Sequence, residues 1–216
     1  MSNIAVLGSG QVGQVLADGF LAQGYSVMRA SREPIKLAAW KTGAGAKAHV
    51  GTFAEAATWG DWVVLAVKGA AAEAVVDQAG PQNLAGKVVM DTTNPIADAP
   101  PQNGVLRFFT DLNESLMERL QRKAPAARFV KAFSCVGSLY MVNPSLPGGP
   151  PTMFICRNDA AAKEDVKTIL DQFGWDTADM GSAEAARAIE PLCILWCIPG
   201  LRQNSWTHAL KLLRAS

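Results

Sequence analysis

The chain has 216 residues, 49% hydrophobic and 18% charged, which is enough for one enzyme-sized domain with an appendage and too little for a second full domain. A net charge of +1, with its lysines and arginines scattered, offers no electrostatic footprint for nucleic acid or an anionic membrane, so neither is expected as a partner. The longest apolar stretch, Leu192 to Ile198, is far shorter than the roughly 20 residues of a spanning helix and reads as buried helix or subunit interface.

The chain opens on an apolar run, Ile4-Ala5-Val6-Leu7, that breaks into Gly8-Ser9-Gly10-Gln11-Val12-Gly13. The run is a short strand with neither a basic leader nor a cleavage site, so a cytoplasmic protein is expected. Val12, Val15, Leu16 and Phe20 fall at helical spacing, giving strand, glycine turn and helix in succession. Gly8 permits the sharp turn, Gly10 lets backbone approach a pyrophosphate, and Gly13 lets the helix lie close on the strand. The helix start then presents free N–H groups and a positive dipole end to phosphate.

Tyr25 to Arg29 reads as the second strand, and the residues just after it set the cofactor type. An acid at this point would accept from the ribose 2′-hydroxyl of NAD. Here the chain carries Arg29, Ser31 and Arg32, with Lys36 a helical turn further on, and Glu33 hemmed in by cations and Pro34. A hydroxyl among cations suits a 2′-phosphate, so NADP(H) is the expected cofactor.

Ala46 to Val50 is a short third strand, and Thr52 caps a small helix through Trp59. Asp61 to Val67 is continuously apolar from Trp62, as parallel strands covered on both faces tend to be. Ala70 to Gln78 is the next helix and Lys87 to Asp91 the next strand. This alternation predicts an α/β fold, a doubly wound parallel sheet of Rossmann type whose ligands sit at the carboxyl ends of the strands. By that rule Val67, Lys68 and Gly69, and Thr92-Thr93-Asn94-Pro95, face the cofactor near its nicotinamide, with Asn94 the best polar contact and Pro95 keeping it extended.

Leu112, Leu116, Met117 and Leu120 mark a further amphipathic helix, and Arg128 to Phe133 the sheet's next strand. The proline-rich stretch Asn143 to Pro151 is expected to be a mobile connection or lid on the substrate side. Thr152 to Cys156 and Trp175 to Ala178 read as strands around a helix that Asp159 caps, and from Ser182 the chain looks helical, divided by Pro191 and Pro199. We place a Rossmann domain at 1–136 and a small α/β and helical extension at 137–216 for substrate or dimer contacts. The four cysteines show no Cys-x-x-Cys pair and no metal-ligand spacing, so no metal is expected. Cys135, at a strand end, and Cys193 with Cys197, on one helix face, are the thiols whose redox role stays open.

The ordered set Gly8 to Gly13, Ser31-Arg32, Thr93-Asn94-Pro95, Val130-Lys131-Ala132-Phe133 leading to Asn143-Pro144, and Ala186-Arg187-Ala188-Ile189-Glu190-Pro191-Leu192 resembles the NADPH-dependent deazaflavin (coenzyme F-420) reductase family. That group includes the cytosolic reductase domain of STEAP-type ferric reductases. The resemblance spans nearly the whole chain. It implies NADPH in the glycine cleft and a flavin or deazaflavin stacked on the nicotinamide, with no transmembrane part expected here. In one departure, many members carry Asn-Thr after the position of Phe133, where this chain has Ser134-Cys135.

The residues themselves favour such chemistry. A dehydrogenase acting on alcohols or hydroxy acids needs a positioned acid or base, whereas His49 and His208 read as structural and Lys131 and Lys68 have no evident partner. Hydride transfer to a flavin-like ring asks mainly for two faces held together. The expected sandwich sets Asn94 and the glycine turn against one ring, and Ala132, Phe133 and the C-terminal helices against the other. A small-molecule redox acceptor and a homodimer through the C-terminal helices are the expected partners. An NADPH-dependent reductase of a small keto or imine substrate, and a non-catalytic NADPH sensor, remain as alternatives.

Overall fold

Six short strands, β1 (Asn3–Leu7), β2 (Ser26–Ala30), β3 (Ala48–Gly51), β4 (Trp62–Leu65), β5 (Val88–Asp91) and β6 (Arg128–Lys131), pair in the order β3-β2-β1-β4-β5-β6 in a computed structural model that describes residues 2–215. Every pairing is parallel. Parallel neighbours need crossovers, and these carry α1 (Gln11–Ala22), α2 (Ala38–Gly43), α3 (Phe53–Trp59), α4 (Gly69–Ala79), α5 (Pro81–Leu84) and α6 (Leu116–Lys123). The strand order reverses between β1 and β4, which makes this the Rossmann form of the doubly wound fold and places its ligand crevice at the carboxyl ends of those two strands.

The apolar strands are buried because both faces of the sheet are covered. On one side Ile4, Val6, Val27 and Val64 pack with Leu16 and Phe20 of α1; on the other Ala5, Leu7, Val63 and Leu65 pack with residues of α3, α4 and α6. Beyond β6 the chain adds β7 (Thr152–Ile155), α7 (Ala160–Gln172), β8 (Asp176–Asp179), α8 (Ala186–Ile189) and α9 (Leu192–Gln203). β7 and β8 pair in parallel, and an antiparallel bridge between Lys131 and Cys156 hangs this small sheet on β6. Met153, Val166, Ile169 and Phe173 join the same apolar cluster as Ile4 and Phe20.

Local chemistry fixes the helix starts. Thr52 with Glu55 and Ser115 with Glu118 form capping boxes, and Asp159 accepts from the Ala162 amide. The Ser115 box explains why Leu112 does not belong to the amphipathic helix: α6 starts after the cap, and Leu112 lies outside it, exposed.

Three other expectations are corrected. The chain is not helical to its end, because α9 stops at Gln203, Asn204 turns left-handed (φ 53°), and 204–215 runs on without helix or strand. His208 therefore lies in this tail, its ring stacked on Trp196 at 5.0 Å. Pro199 lies inside α9 and does not divide it, and its carbonyl accepts from the Ser205 amide just past the helix end. Asn143 to Pro151 lines neither cavity of the site: the Asn143 amide donates to Phe173 at the end of α7, and Lys211 of the tail donates to the Gly148 carbonyl.

Candidate functional site

The turn after β1 is shaped by atoms that a side chain would displace. A Cβ on Gly8 would overlap the carbonyl oxygen of Ala66, and one on Gly13 would lie 2.6 Å from the carbonyl oxygen of Gly8. These two glycines let β1, β4 and α1 converge, with the Gly13 contact made against the turn itself and only secondarily against Val6 of the strand. Gly10 differs. Its backbone is extended (φ −79°), a conformation open to any residue, and a Cβ there would meet no described atom within 4 Å. No described residue needs a glycine at 10, so the space it leaves suits a group from outside the chain. α1 starts at Gln11 with no side-chain cap among the described residues, which leaves the amides of Gln11, Val12 and Gly13 for such a group.

Ser9 and Gly10 form one wall of a cleft of about 430 Å³ that also holds Ser31, Arg32, Lys36, Val67 and Lys68. Ser31 is buried and its Oγ accepts from the Glu33 amide at 3.1 Å. Arg32 is exposed at the cleft. Lys36 is already paired with Glu33 at 2.7 Å, and this partner holds the Glu33 carboxyl below its ordinary range. A 2′-phosphate must compete with Glu33 for Lys36, whereas no described carboxylate forms an ion pair with Arg32. Arg29 does not belong to this basic end. Its side chain turns inward beneath the glycine turn, only 1% exposed.

Val67 and Lys68 continue into a second cavity of about 670 Å³, whose wall includes Gly69, Ala70, Thr92, Asn94, Ile96, Asp98 and Pro100. Gly69 opens α4 so close to this loop that a Cβ on it would overlap the Asn94 carbonyl. The Asn94 amide is oriented by its Nδ2, which donates to the Ser134 carbonyl at 2.8 Å. Its Oδ1 is buried and has no partner among the described residues, so one acceptor waits at the cavity wall. Pro95 is buried and lines neither cavity.

Two expected contributors to the ring site are corrected. Ala132 is fully buried and its amide donates to the Asp91 carbonyl; Phe133, 2% exposed, lies in the core against Phe173 and Trp175. Neither presents a face to either cavity. Lys131, expected to lack a partner, has two: its Nζ lies 2.6 Å from Asp91 Oδ2 and 2.8 Å from Glu190 Oε1, and donates to the Thr93 carbonyl at 2.8 Å. Burial alone would lower its pKa, but the two carboxylates outweigh it and hold the ammonium at about 12. Glu190 in turn accepts from the Leu116 and Met117 amides that open α6. The triad thus locks together β5, β6, α6 and the junction of α8 with α9, and fixes Thr93 next to Asn94. A lysine inside a buried parallel strand was itself the signal that a carboxylate must be near.

Burial pushes the Cys135 thiol up to about 12, so it is protonated at neutral pH and a weak nucleophile. Among the described residues no cluster of three or more potential metal ligands occurs, and no helix is long and apolar enough to cross a membrane.

A crevice at the strand-order reversal, with an uncapped helix start and open space at Gly10, defines a dinucleotide-binding protein of the Rossmann class. Residues 3–95 match the family described as NADP oxidoreductase, coenzyme F420-dependent. A solved structure of a candidate F420-dependent NADP-reductase from Arthrobacter sp. FB24 is 32% identical and superposes with a TM-score of 0.93, covering 99% of this chain and 100% of that one. Over 92% of its length the chain is 29% identical to metalloreductase STEAP3 of Rattus norvegicus, of which it spans 38%. An imine reductase of Streptomyces aurantiacus, 17% identical with a TM-score of 0.66 over 89% of this chain and 60% of that one, shares the fold. The chain belongs to the coenzyme F420-dependent NADP oxidoreductase family, and its cofactor is NADP(H).

Proposed function

We propose that this chain transfers a hydride between NADPH and a flavin or deazaflavin (coenzyme F-420-like) ring. The observation that carries the reading is the second cavity, which adjoins the cofactor cleft at Val67 and Lys68. Its walls are small or apolar at Gly69, Ala70, Ile96, Ala97 and Pro100, and its titratable side chains, Lys68 and Asp98, are both exposed. Such a slot holds a flat ring without offering it a buried acid or base. Lys131, the other candidate for proton transfer, is held within its ion triad.

NADPH supplies the hydride from its nicotinamide. The amides at the start of α1 receive the diphosphate, Ser31, Arg32 and Lys36 receive the 2′-phosphate, and Asn94 Oδ1 is free to accept from the carboxamide. Lys68 stands between the two cavities, where it attracts an anionic group of either ligand. The division at residue 136, a cytoplasmic location and a homodimer through α9 belong to the same proposal. Leu195 and Leu201 on α9 are exposed, and a chain that sediments as a monomer would remove the dimer from it.

Stopped-flow single-turnover transfer from NADPH tests the reading. We expect transfer to a flavin or deazaflavin, a rate that changes little between about pH 6 and pH 8, and rates within about tenfold of the parent for Asp98→Asn and His208→Ala, below the roughly 10²–10⁴-fold of general acid–base catalysis. A bell-shaped profile, or turnover of a keto or imine substrate with none of a flavin, would replace it with the small-substrate reductase.

A further inference from the structure

Arg29 is the charged residue of β2, and the cofactor cleft does not contain it. Its guanidinium lies under the glycine turn, where Nη2 donates to the carbonyls of Ser9 at 3.1 Å and Gly10 at 3.3 Å. The Trp40 ring covers it at 4.8 Å, and the Trp40 indole N–H is itself held by Asp18 at 2.7 Å. Arg29 Nε is buried with no partner among the described residues. The cation is therefore kept in place at some cost, and near the positive end of α1, where a helix dipole disfavours it.

Two physical facts give that cost a purpose. A trans peptide carries its N–H opposite its C=O, so a donor fixed on the Ser9 carbonyl turns the Gly10 amide away from the guanidinium; at the Gly10 carbonyl, which also accepts from the Gln14 amide at 3.0 Å as the first bond of α1, it reinforces the orientation of the Gln11 amide. A hydrogen bond to a peptide carbonyl also polarises that peptide, which strengthens its N–H as a donor. The wall of the cleft that Ser9 and Gly10 form is thus braced from behind by a positive charge.

We propose that Arg29 is a positioning residue for the cofactor diphosphate, clamping the two carbonyls so that the Gly10 and Gln11 amides stand ready for it. The proposal rests on the NADPH reading above. It differs from the roles of Ser31, Arg32 and Lys36, because the diphosphate is common to NADPH and NADH.

The test is calorimetric binding of NADPH, NADH and adenosine 2′-monophosphate to the parent, Arg29→Met and Arg29→Lys. In Arg29→Met, NADPH and NADH should weaken by the same factor, about tenfold to a hundredfold. Adenosine 2′-monophosphate, which lacks the diphosphate, should bind as in the parent, and the transfer rate at saturating NADPH should hold. Arg29→Lys keeps the charge but loses the planar fork, and should fall between the two; it also serves if Arg29→Met does not fold. NADPH affinity within about threefold of the parent in a folded Arg29→Met would overturn the clamp, since a lost charge-assisted bond exceeds that. Parallel loss of adenosine 2′-monophosphate would overturn it too, reducing Arg29 to a general support of that end. A parent that binds no nucleotide overturns the functional reading itself, which is a distinguishable result.

Discussion

The carboxyl edge of the sheet treats its charges in opposite ways at its two ends. Beyond β2, Arg32 and Lys36 stand exposed around a cleft, and the amides that open α1 are left without partners of their own among the described residues. At the ends of β5 and β6, Asp91 and Lys131 are buried together with Glu190, and the amides that open α6 are taken by Glu190. One end is unfinished until a ligand arrives, whereas the other is completed by the chain. Both are helix starts with charge close by, so the difference lies in which element supplies the counter-ion. At α1 no described residue does; at α6 a residue 74 positions away from Leu116 reaches back to fill the place.

The largest expected effect lies at the finished end. Lys131→Met leaves two carboxylates buried together, and removing one partner of a buried pair costs about 3–5 kcal/mol. Urea unfolding should show that loss for the single variant. Lys131→Met with Glu190→Gln should lose less than the sum of the two separate changes, because the members of one ionic network do not add. A loss below about 1 kcal/mol, the range of an exposed pair, would mean that the triad is ornamental and that the contrast between the ends is false.

This same contrast separates what the sequence discloses from what it hides. β1, the glycine turn and α1 are legible because their determinants are local: an apolar run, glycines at short spacing, and a helical stripe from Val12 to Phe20. The open space at Gly10 is legible for the same reason. The partners of Lys131 are not, because Asp91 precedes it by a whole crossover and Glu190 comes only after the second small sheet. Arg29 shows the converse error. Its neighbours in the chain, Ser31 and Arg32, place it at the basic end, but strand alternation turns its side chain under the turn, onto the face that carries α1. Ala132 and Phe133 lie close enough behind β6 to suggest the ring site, yet both are buried in the core. The tail after Gln203 shows no period that would have warned of the left-handed Asn204.

At the unfinished end the effect should fall on binding and leave the fold alone. Arg32→Ala removes an exposed cation with no carboxylate partner among the described residues, so stability should change little. NADPH affinity should drop by about one to two decades, the worth of a charge-assisted hydrogen bond, while NADH affinity barely moves. Lys36→Ala should do less than Arg32→Ala, because Lys36 already has Glu33 as a partner. Titration of both cofactors against both variants checks this, and equal losses for NADPH and NADH would mean that the 2′-phosphate is read elsewhere.

The smallest effect sharpens the comparison within a single helix start. Glu118 lies at the same end of α6 as Glu190, but only partly buried, and there it accepts from the Ser115 amide and pairs with Arg187 at 2.6 Å. The Arg187 guanidinium, helped by Ser115 and opposed by partial burial, holds the Glu118 carboxyl at about 2, down from an ordinary 4.5. A carboxyl with a lowered folded pKa contributes stability that is present above its unfolded pKa and lost as pH falls through the folded one. The contribution should therefore be complete above about pH 4.5 and lost as pH falls through about 2. Arg187 is 37% exposed at its side chain, so solvent screens the pair and its size is that of a surface bridge, under about 1 kcal/mol. Urea unfolding of the parent and Arg187→Met should differ by that amount at pH 7, by less in high salt, and by progressively less as pH falls from 4.5 toward 2. A gap that persists unchanged into acid would show that Arg187 acts through packing, and that Glu118 differs from Glu190 in depth alone.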